Sequence, residues 1–289
     1  MDEAMKELMT VFSGEPRKIN ILYRILIRTV ARAKIRFSYK LWLFFDFLRT
    51  IIMVVTYYFF SFIVTPRHLI ASGYTSDYFV FAAIGLALGA FTSLSLRGFA
   101  ITVFFEQITG TIECAFVTPS GILPILIGDI LFYILYASTH CVLVLGILVM
   151  MGKITFTVWT ILSVILLVLG LFLGNLPLGI ISAALILKYK QGDPISLILT
   201  WLNYFLSGVF YPISLIPESI RMLSYVFPLT WTLHGIRLAI MYQLPPWHSD
   251  VIITLGISFA YALIGIPLTY MFFMWIFNKV RKEGTLVHY

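Results

Sequence analysis

Charged residues are scarce in this sequence. Asp, Glu, Lys and Arg make up 11% of the 289 residues, whereas soluble globular proteins carry about 25%. Hydrophobic residues make up 60%, and a soluble fold of this length has too little core volume to bury that much apolar surface. Because lipid solvates such surface directly, the composition excludes an ordinary soluble domain and predicts an all-α membrane protein.

Cysteine is almost absent as well. Cys114 and Cys141 fit neither a disulfide framework nor a CxxC metal or redox spacing, so we interpret both as small packing residues. The first 20 residues also lack an apolar stretch followed by a small-residue cleavage site. We therefore expect no signal peptide and a cytoplasmic N-terminus.

Apolar stretches long enough to cross a bilayer recur along the chain, since a spanning helix needs about 20 predominantly apolar residues. The fourth stretch is overlong and is interrupted by Gly174-Asn175-Leu176-Pro177, and the fifth is short. We predict one membrane domain over residues 1–289 with six transmembrane helices. The predicted spans cover about 42–64, 78–102, 122–151, 157–187, 194–211 and 251–277.

The basic residues predict the orientation. Fourteen of the 20 Lys and Arg residues fall in segments that are cytoplasmic if the N-terminus is inside, and two lie within spans. Positive charge accumulates on the cytoplasmic side, so we expect a multi-pass protein of the cell membrane (plasma or inner) with both termini inside. No nucleic-acid partner is expected, because the charge lies beside spans. The outer loops hold the other four basic residues, Arg67, Lys153, Arg221 and Arg237.

A basic amphipathic segment precedes the first span, at about 17–40. Its arginines recur every four residues and therefore share one helix face. We predict an interfacial helix that lies against membrane lipids on the cytoplasmic side; a solvated or calmodulin-target-like helix is the alternative. The arginines are Arg24, Arg28, Arg32 and Arg36, and the apolar stripe is Ile21, Ile25, Ala31, Ile35 and Tyr39.

The segment of about 212–242, between the last two spans, is apolar but broken by Pro212, Pro217 and Pro228. Short helices would satisfy their own backbone hydrogen bonds while their apolar faces are buried. We therefore predict an outer helical hairpin of short re-entrant helices.

Motifs for chemistry are missing. Gly146 and Gly152-Lys153 have the wrong spacing for a phosphate-binding loop, and Ile154 stands where Ser or Thr is needed. We expect no ATP hydrolysis by this chain, no metal and no cofactor of its own. The sequence also shows no group of Asp, His and Arg at one membrane face, which a membrane-embedded enzyme such as a lipid-group transferase would need.

The few charges within spans can be explained without a role in ion transport. Asp46 and Arg49 can pair at i, i+3, and Arg97 and Asp129 can snorkel towards water. We interpret His140 as hydrogen-bonded to a neighbouring helix. Several midplane charges would favour an ion- or proton-coupled carrier, and they are absent. That carrier stays an alternative because the fourth span is interrupted.

The inner loop between spans two and three is the most informative segment. Residues 106–117 predict a short amphipathic helix with acids at Glu106 and Glu113, ended by Thr118-Pro119. Such an element, facing the cytoplasm, is suited to docking onto another protein.

This loop resembles a segment of the ABC type-2 transporter permease family that reads E-x-x-x-G-T-I-E-x-x-x-x-T-P. Gln107 departs from the basic residue that is frequent in the family beside Glu106. The matching positions in the loop are Glu106, Gly110, Thr111, Glu113, Thr118 and Pro119. A second match consists of Ser207–Pro212, Leu215–Pro217, Phe227–Thr230 and Gly235–Arg237.

The resemblance implies the permease of an exporter built from two permeases and two ATPases. The partners would be a separate ABC nucleotide-binding subunit, which would hold ATP and Mg²⁺, and a second copy or paralogue of this chain. The basic helix would flank the contact, and transport would follow spans two and five. The residues that would couple the chain to the ATPase are Glu106, Gly110, Thr111, Glu113, Phe116, Thr118 and Pro119.

One face of the fifth span is aromatic. It could line a translocation path for an amphipathic drug, a lipid or a lipid-linked glycan; an ordinary packing face is the alternative. The residues that share this face by helical spacing are Trp201, Tyr204, Phe205, Gly208 and Tyr211.

Overall fold

All regular elements that the structure, a computed structural model, describes are helical. The described residues are 20–65, 67–74, 76–111, 121–189 and 194–283, and over them the all-α prediction is confirmed. The helices are α1 (Ile21–Ser38), α2 (Lys40–Phe60), α3 (Arg67–Ala71), α4 (Tyr78–Ile108), α5 (Leu123–Met150), α6 (Val158–Tyr189), α7 (Pro194–Leu206), α8 (Glu218–Ser224), α9 (Pro228–Tyr242) and α10 (Ser249–Lys282), with a 3₁₀ turn at Ile213–Leu215.

Five of the described helices, α2, α4, α5, α6 and α10, are long and apolar enough to cross a membrane. The predicted fifth span is not among them. α7 has 13 residues, which reach about 20 Å at 1.5 Å per residue, whereas the hydrocarbon layer is about 30 Å thick. Its helix ends at Leu206, and Gly208 then takes a left-handed backbone with φ of 68°. The described residues thus hold five candidate spans, and the prediction of six spans is not confirmed.

α6 is continuous where the sequence predicted an interruption. Pro177 lies inside the helix, and its ring packs against α10 at Gly265, where an added Cβ would lie 2.5 Å from the ring. Because Gly265 has no side chain, the ring of Pro177 fits against α10. The broken helix that motivated the carrier alternative is therefore not present.

α4 lies at the centre of the bundle and α2 at its edge. In the most apolar stretch of each helix, 78% of the residues of α4 are buried but only 6% of those of α2. α4 packs against α5 and α6, and α10 packs along α6. The exposed apolar side chains of α2 need lipid or another chain to cover them.

The bundle has two ends of different character. At one end, which we call the α1 end, α4 ends and α5 begins, both beside α1. At the opposite, far end, α3 and the segment 212–242 meet: Ser72 Oγ and Ser214 Oγ are hydrogen-bonded at 2.7 Å. That segment consists of the 3₁₀ turn, α8 and α9. Arg237, expected in an outer loop, is instead buried within α9.

Candidate functional site: a charged cluster at the α1 end

The arginine face of α1 turns towards the protein. Arg28, Arg32 and Arg36 are partly exposed, and Ile25 and Thr29 on the same side are buried. α1 rests with this side on α5, so these three arginines have protein partners in place of the lipid headgroups that we expected. Arg24, one turn earlier, is also partly exposed. Of the predicted apolar stripe, only Ile25 is buried; Ile21, Ala31, Ile35 and Tyr39 are exposed. The helix ends at Ser38, and Lys40 already belongs to α2.

Asp129, in the second turn of α5, is the deepest carboxylate. Arg28 donates to it from Nε at 2.7 Å and from Nη2 at 3.0 Å, and Arg32 Nη2 lies 2.7 Å from its Oδ2. Thr102 of α4 donates a further hydrogen bond at 3.0 Å. Asp129 has 0% of its surface exposed, and a buried carboxylate is tolerated only when it is paired and hydrogen-bonded. The expectation that Asp129 snorkels towards water is therefore wrong.

Arg28 also binds Glu106, in the last turn of α4. Its Nη2 lies 2.6 Å from Glu106 Oε1, and the second oxygen of Glu106 accepts a hydrogen bond from Thr111 Oγ1. Partial burial disfavours the charge of Arg28, but the hydrogen bonds and negative charges of Asp129 and Glu106 outweigh it and raise the pKa of Arg28 above its ordinary value. The guanidinium therefore stays charged and bridges two helices.

A second carboxylate, Asp46 of α2, gathers four partners. Arg49 Nη2 donates to it at 3.0 Å, which confirms the predicted i, i+3 pair. Arg36 Nη2 lies 3.7 Å away and His140 Nε2 lies 3.1 Å away, and the hydroxyl of Tyr136 donates to Asp46 as well. Asp46 thus connects α1, α2 and α5.

His140 is held by α2 on both ring nitrogens. Its Nδ1 lies 3.0 Å from Thr50 Oγ1, opposite the contact of Nε2 with Asp46. The ring also stacks on Phe47 at a centroid distance of 4.9 Å. The prediction that His140 bonds to a neighbouring helix is confirmed.

Together these charges form two ion-pair networks along α1, one around Asp129 and one around Asp46, which we call the charged cluster. Each carboxylate in it is ion-paired with at least one arginine, so none is presented as a free base or nucleophile. No group of His, Cys, Asp and Glu in the described part of the chain could hold a metal ion. The geometry therefore fits the positioning of helices better than chemistry. The charged cluster comprises Arg28, Arg32, Arg36, Arg49, Asp46, Glu106 and Asp129.

Sequence reasoning missed this cluster, and the expectation of no grouped Asp, His and Arg is wrong. Along the chain, Arg28 is 78 residues from Glu106 and 101 residues from Asp129. The sequence alone does not show contacts between residues so far apart. A usable signal was present nonetheless. The arginines are spaced by four on α1, and α2, α4 and α5 each carry a single acid near the α1 end. A row of partly buried cations that faces other helices favours such anions as partners.

The structure describes three of the predicted coupling residues. Glu106 belongs to α4, which ends at Ile108, and Gly110 has a left-handed backbone with φ of 68°. No helix runs on from Glu106 through Thr111, so the prediction of one helix over 106–117 is corrected at its start. Glu113, Phe116, Thr118 and Pro119 lie outside the described residues.

The aromatic residues predicted to line a path do not share one continuous helix. Trp201, Tyr204 and Phe205 lie on α7, which ends before Gly208 and Tyr211. Trp201 and Phe205 are exposed, whereas the hydroxyl of Tyr204 donates to the backbone carbonyl of Gly89 in α4. Tyr211 folds back, and its hydroxyl donates to the carbonyl of Phe205.

Comparison with known families identifies the class. Residues 22–241 match the family described as ABC-2 type transporter, a range that begins in α1, contains the charged cluster and ends in α9. A search of curated proteins finds no match. Because the family match covers more than half of the chain, the chain belongs to the ABC-2 type transporter family.

This membership has direct consequences. The chain is a multi-pass membrane protein and a transporter permease, in agreement with its long apolar helices. Membrane domains of this family are not themselves catalytic, and they generally work with a separate ABC ATP-binding subunit.

Proposed function

We propose that this chain is the permease subunit of an ATP-driven exporter whose ATPase is a separate chain that holds ATP and Mg²⁺. One observation supports this proposal above all. In a chain of this family, the charged cluster joins α1 to the two helices that flank the segment 109–121. We expect this segment to dock onto the ATPase, so the cluster is placed where a push on it would reach the membrane helices.

The coupling residues would act through that segment. Gly110, Thr111, Glu113, Phe116, Thr118 and Pro119 would contact the ATPase, while Glu106 fastens the start of the segment to α1. Closure of two ATPases around ATP would favour one of two arrangements of the permease helices, which is a population shift driven by ligand binding at a partner.

The basic residues support an orientation with the α1 end in the cytoplasm. Cytoplasmic loops carry an excess of Lys and Arg, and α10 also ends in Lys279, Arg281 and Lys282 at this end. We therefore place the protein in the plasma or inner membrane with both termini inside and the far end outside.

The substrate class that we propose is amphipathic: a drug, a lipid or a lipid-linked glycan. The path would run beside α4 and α7, which Tyr204 and Gly89 hold together. Trp201 and Phe205 project from α7 with 62% and 57% of their surface exposed, so an aromatic surface is available there to a ligand or to a second subunit.

The exposed apolar surface of α2 supports a second permease copy or paralogue as a partner. α2 carries exposed large apolar side chains along its length, among them Phe44, Ile52 and Phe59. Such a surface suits membrane lipid on one side and a helix of a second permease on the other. We propose a dimer of permeases without deciding between a homodimer and a heterodimer.

A proton-coupled carrier is the second candidate, and one observation favours it. Asp46 contacts His140 and Tyr136 in a buried, hydrogen-bonded group, and intramembrane ionisable groups of this kind serve proton relays elsewhere. The two arginines beside Asp46 weigh against it, because they pair with both oxygens of the carboxylate that a relay would use.

Purification tests the proposal. The tagged chain is isolated from membranes in mild detergent, and its partners are identified by mass spectrometry. We expect a near-stoichiometric soluble chain with a G-x-x-x-x-G-K-[ST] motif and ATP turnover that requires both chains. A permease that purifies alone, with no effect of ATP but with transport driven by a pH gradient, would favour the carrier.

A matched pair of glycines tests the docking segment. Gly110 and Gly152 both have a left-handed backbone, with φ of 68° and 66°, and an added Cβ at either would meet no atom of the described residues within 4 Å. Gly110→Lys and Gly152→Lys therefore impose similar strain at opposite ends of the bundle. We expect only Gly110→Lys to uncouple ATP turnover from transport while membrane insertion is retained, and we expect Glu113→Lys to behave in the same way. Normal coupling in both of these variants would refute the docking assignment.

A further inference from the structure

A single guanidinium holds both helices that flank the segment 109–121. Arg28 contacts Glu106, which precedes the segment in α4, and Asp129, which follows it in α5. The two carboxylates are 23 residues apart in the sequence, yet both lie within 2.7 Å of the same side chain. Arg28 of α1 therefore ties the two flanks to each other, in addition to the direct hydrogen bond from Thr102 of α4 to Asp129 of α5.

The bridge needs the shape of arginine. Arg28 uses Nε and Nη2 on the two oxygens of Asp129 and shares Nη2 with Glu106. The planar fork of arginine offers five donors in fixed directions, whereas lysine offers a single ammonium. A lysine would keep the charge but could hold one carboxylate well and not both.

The backbone around the bridge is fitted to it. Thr29 Oγ1 donates to the carbonyl of Gly128 at 2.9 Å, which brings α1 into contact with the first turns of α5. A Cβ added at Gly128 would lie 2.6 Å from Arg28 Cβ. The absent side chain therefore allows the close approach that places the guanidinium between its two partners.

Asp129 does not depend on Arg28 alone for charge compensation. Asp129 also has Arg32 at 2.7 Å and Thr102 at 3.0 Å. Glu106 is 7% exposed and keeps the hydroxyl of Thr111 as a hydrogen-bond donor, but Arg28 is its one ion-pair partner among the described residues. Each carboxylate thus keeps a hydrogen-bond donor when Arg28 is replaced, so a role beyond folding can be measured.

We propose that Arg28 is the positioning residue of the docking segment: it sets the distance between the two flanks and makes α1, α4 and α5 respond as one unit. The inference rests on the proposed function for its consequence, since the unit would transmit the ATPase movement. The other part of the inference, that Arg28 fixes the spacing of the flanks, can be tested without the ATPase.

The first test uses the permease alone. Spin labels are placed at Thr109 and Leu123, which are both exposed, in a chain whose two cysteines are replaced by alanine. We expect a narrow distance distribution in the parent chain and a broader or shifted one in Arg28→Gln and Arg28→Lys. Lys34→Gln, which removes a charge from the exposed side of α1, should leave the distribution unchanged. Unchanged distributions in both Arg28 variants would overturn the inference, whatever the ATPase does.

The second test uses the complex with the ATPase. Arg28→Gln, Glu106→Gln and the double variant are compared for ATP turnover and for complex yield. We expect each single variant to lower the kcat of permease-dependent turnover at least about fivefold, with the KM for ATP little changed. The double variant should lose no more than the single ones, because both remove the same bridge. Wild-type kcat in Arg28→Gln, or full rescue by Arg28→Lys, would overturn the inference. A parent chain that binds no ATPase would overturn the proposed function, whereas the spin-label result would stand by itself.

Discussion

The protein buries an arginine at each end of its bundle, and the two are stabilised in opposite ways. Arg28 at the α1 end has carboxylate partners and keeps 27% of its side chain exposed. Arg237 at the far end is 2% exposed. It donates to the backbone carbonyls of Gly208 at 2.9 Å, Val209 at 2.7 Å and Phe81 at 3.2 Å.

The difference indicates different tasks. The partners of Arg28 are carboxylate side chains of α4 and α5, so α1, α4 and α5 can shift as one unit while these charges stay paired. Backbone carbonyls move only with their chain segments, and Arg237 therefore fastens α9 to the turn after α7 and to the first turn of α4. Burial lowers the pKa of Arg237 to about 10, which leaves it charged at neutral pH. We interpret the α1 end as adaptable and the far end as fixed.

The largest expected effect is at the fixed site. Arg237→Met removes the donor to three carbonyls, and buried groups left without a partner are costly. We expect a loss of about 4 kcal/mol in the free energy of unfolding, measured by thermal unfolding in detergent. Arg221→Met is the control. Arg221 also donates to carbonyls, those of Ser214 and Ile216, but from an accessible position in α8. Arg221→Met should lose about 1 kcal/mol in the free energy of unfolding. Equal losses in the two variants would contradict the burial of Arg237.

The next effect is at the adaptable site. Asp129→Asn leaves Arg28 and Arg32 without their shared charge, and breaking one side of a buried ion pair costs about 3 kcal/mol. The matched control is Asp77→Asn, which removes the charge from the exposed pair with Lys153 at 2.7 Å and should cost less than about 1 kcal/mol. Comparable losses in chemical or thermal unfolding would show that Asp129 is not buried as described.

Two glycines sharpen the comparison further. A Cβ at Gly85 would lie 2.1 Å from the carbonyl oxygen of Val209, and one at Gly128 would lie 2.6 Å from Arg28 Cβ. We expect both alanine variants to lose stability by about 1–3 kcal/mol. The loss at Gly85 should be the greater, because the added Cβ would come closer to its neighbour, at 2.1 Å against 2.6 Å.

The control for both glycines is Gly146→Ala. Gly146 lies within α5, and in the described part of the chain an added Cβ there meets nothing within 4 Å. Alanine is better than glycine in a helix interior by about 0.5–1 kcal/mol, so this variant should unfold at a slightly higher temperature. Destabilisation by all three variants alike would mean that glycine has no special fit at either arginine.

The smallest expected effect is at the edge of the charged cluster. The side chain of Arg49 is 72% exposed, and Asp46 keeps Arg36, His140 and Tyr136 when Arg49 is lost. Because Asp46 keeps these three partners, Arg49→Gln should change the unfolding midpoint little. A loss as large as that of Asp129→Asn would show that Arg49 is a principal partner.

Sequence reasoning predicted the features that repeat locally. The apolar spans, the amphipathic α1, the pair Asp46–Arg49 and the hydrogen bond of His140 follow from spacing and composition within short segments. The family resemblance also rested on local motifs, and the family match confirms it.

What sequence reasoning missed depends on contacts across the chain. The four-residue spacing of the arginines shows that they share a face, but it does not show what that face meets. Arg237 was missed for a different reason: its partners are backbone carbonyls, and every residue carries one. The end of α7 was misplaced because the apolar pattern continues past Leu206, while the left-handed backbone at Gly208 stops the helix.

The most direct test of this account compares Arg28→Lys with Arg237→Lys in the complex with the ATPase. For each variant, the unfolding midpoint and the permease-dependent ATP turnover are measured on the same preparation. The account predicts that Arg28→Lys keeps its midpoint within about 2 °C and lowers turnover at least about fivefold. It predicts that Arg237→Lys lowers the midpoint, while the complex that remains folded turns over ATP at close to the parent rate. The reverse pattern, or stability and turnover falling together in both variants, would contradict it.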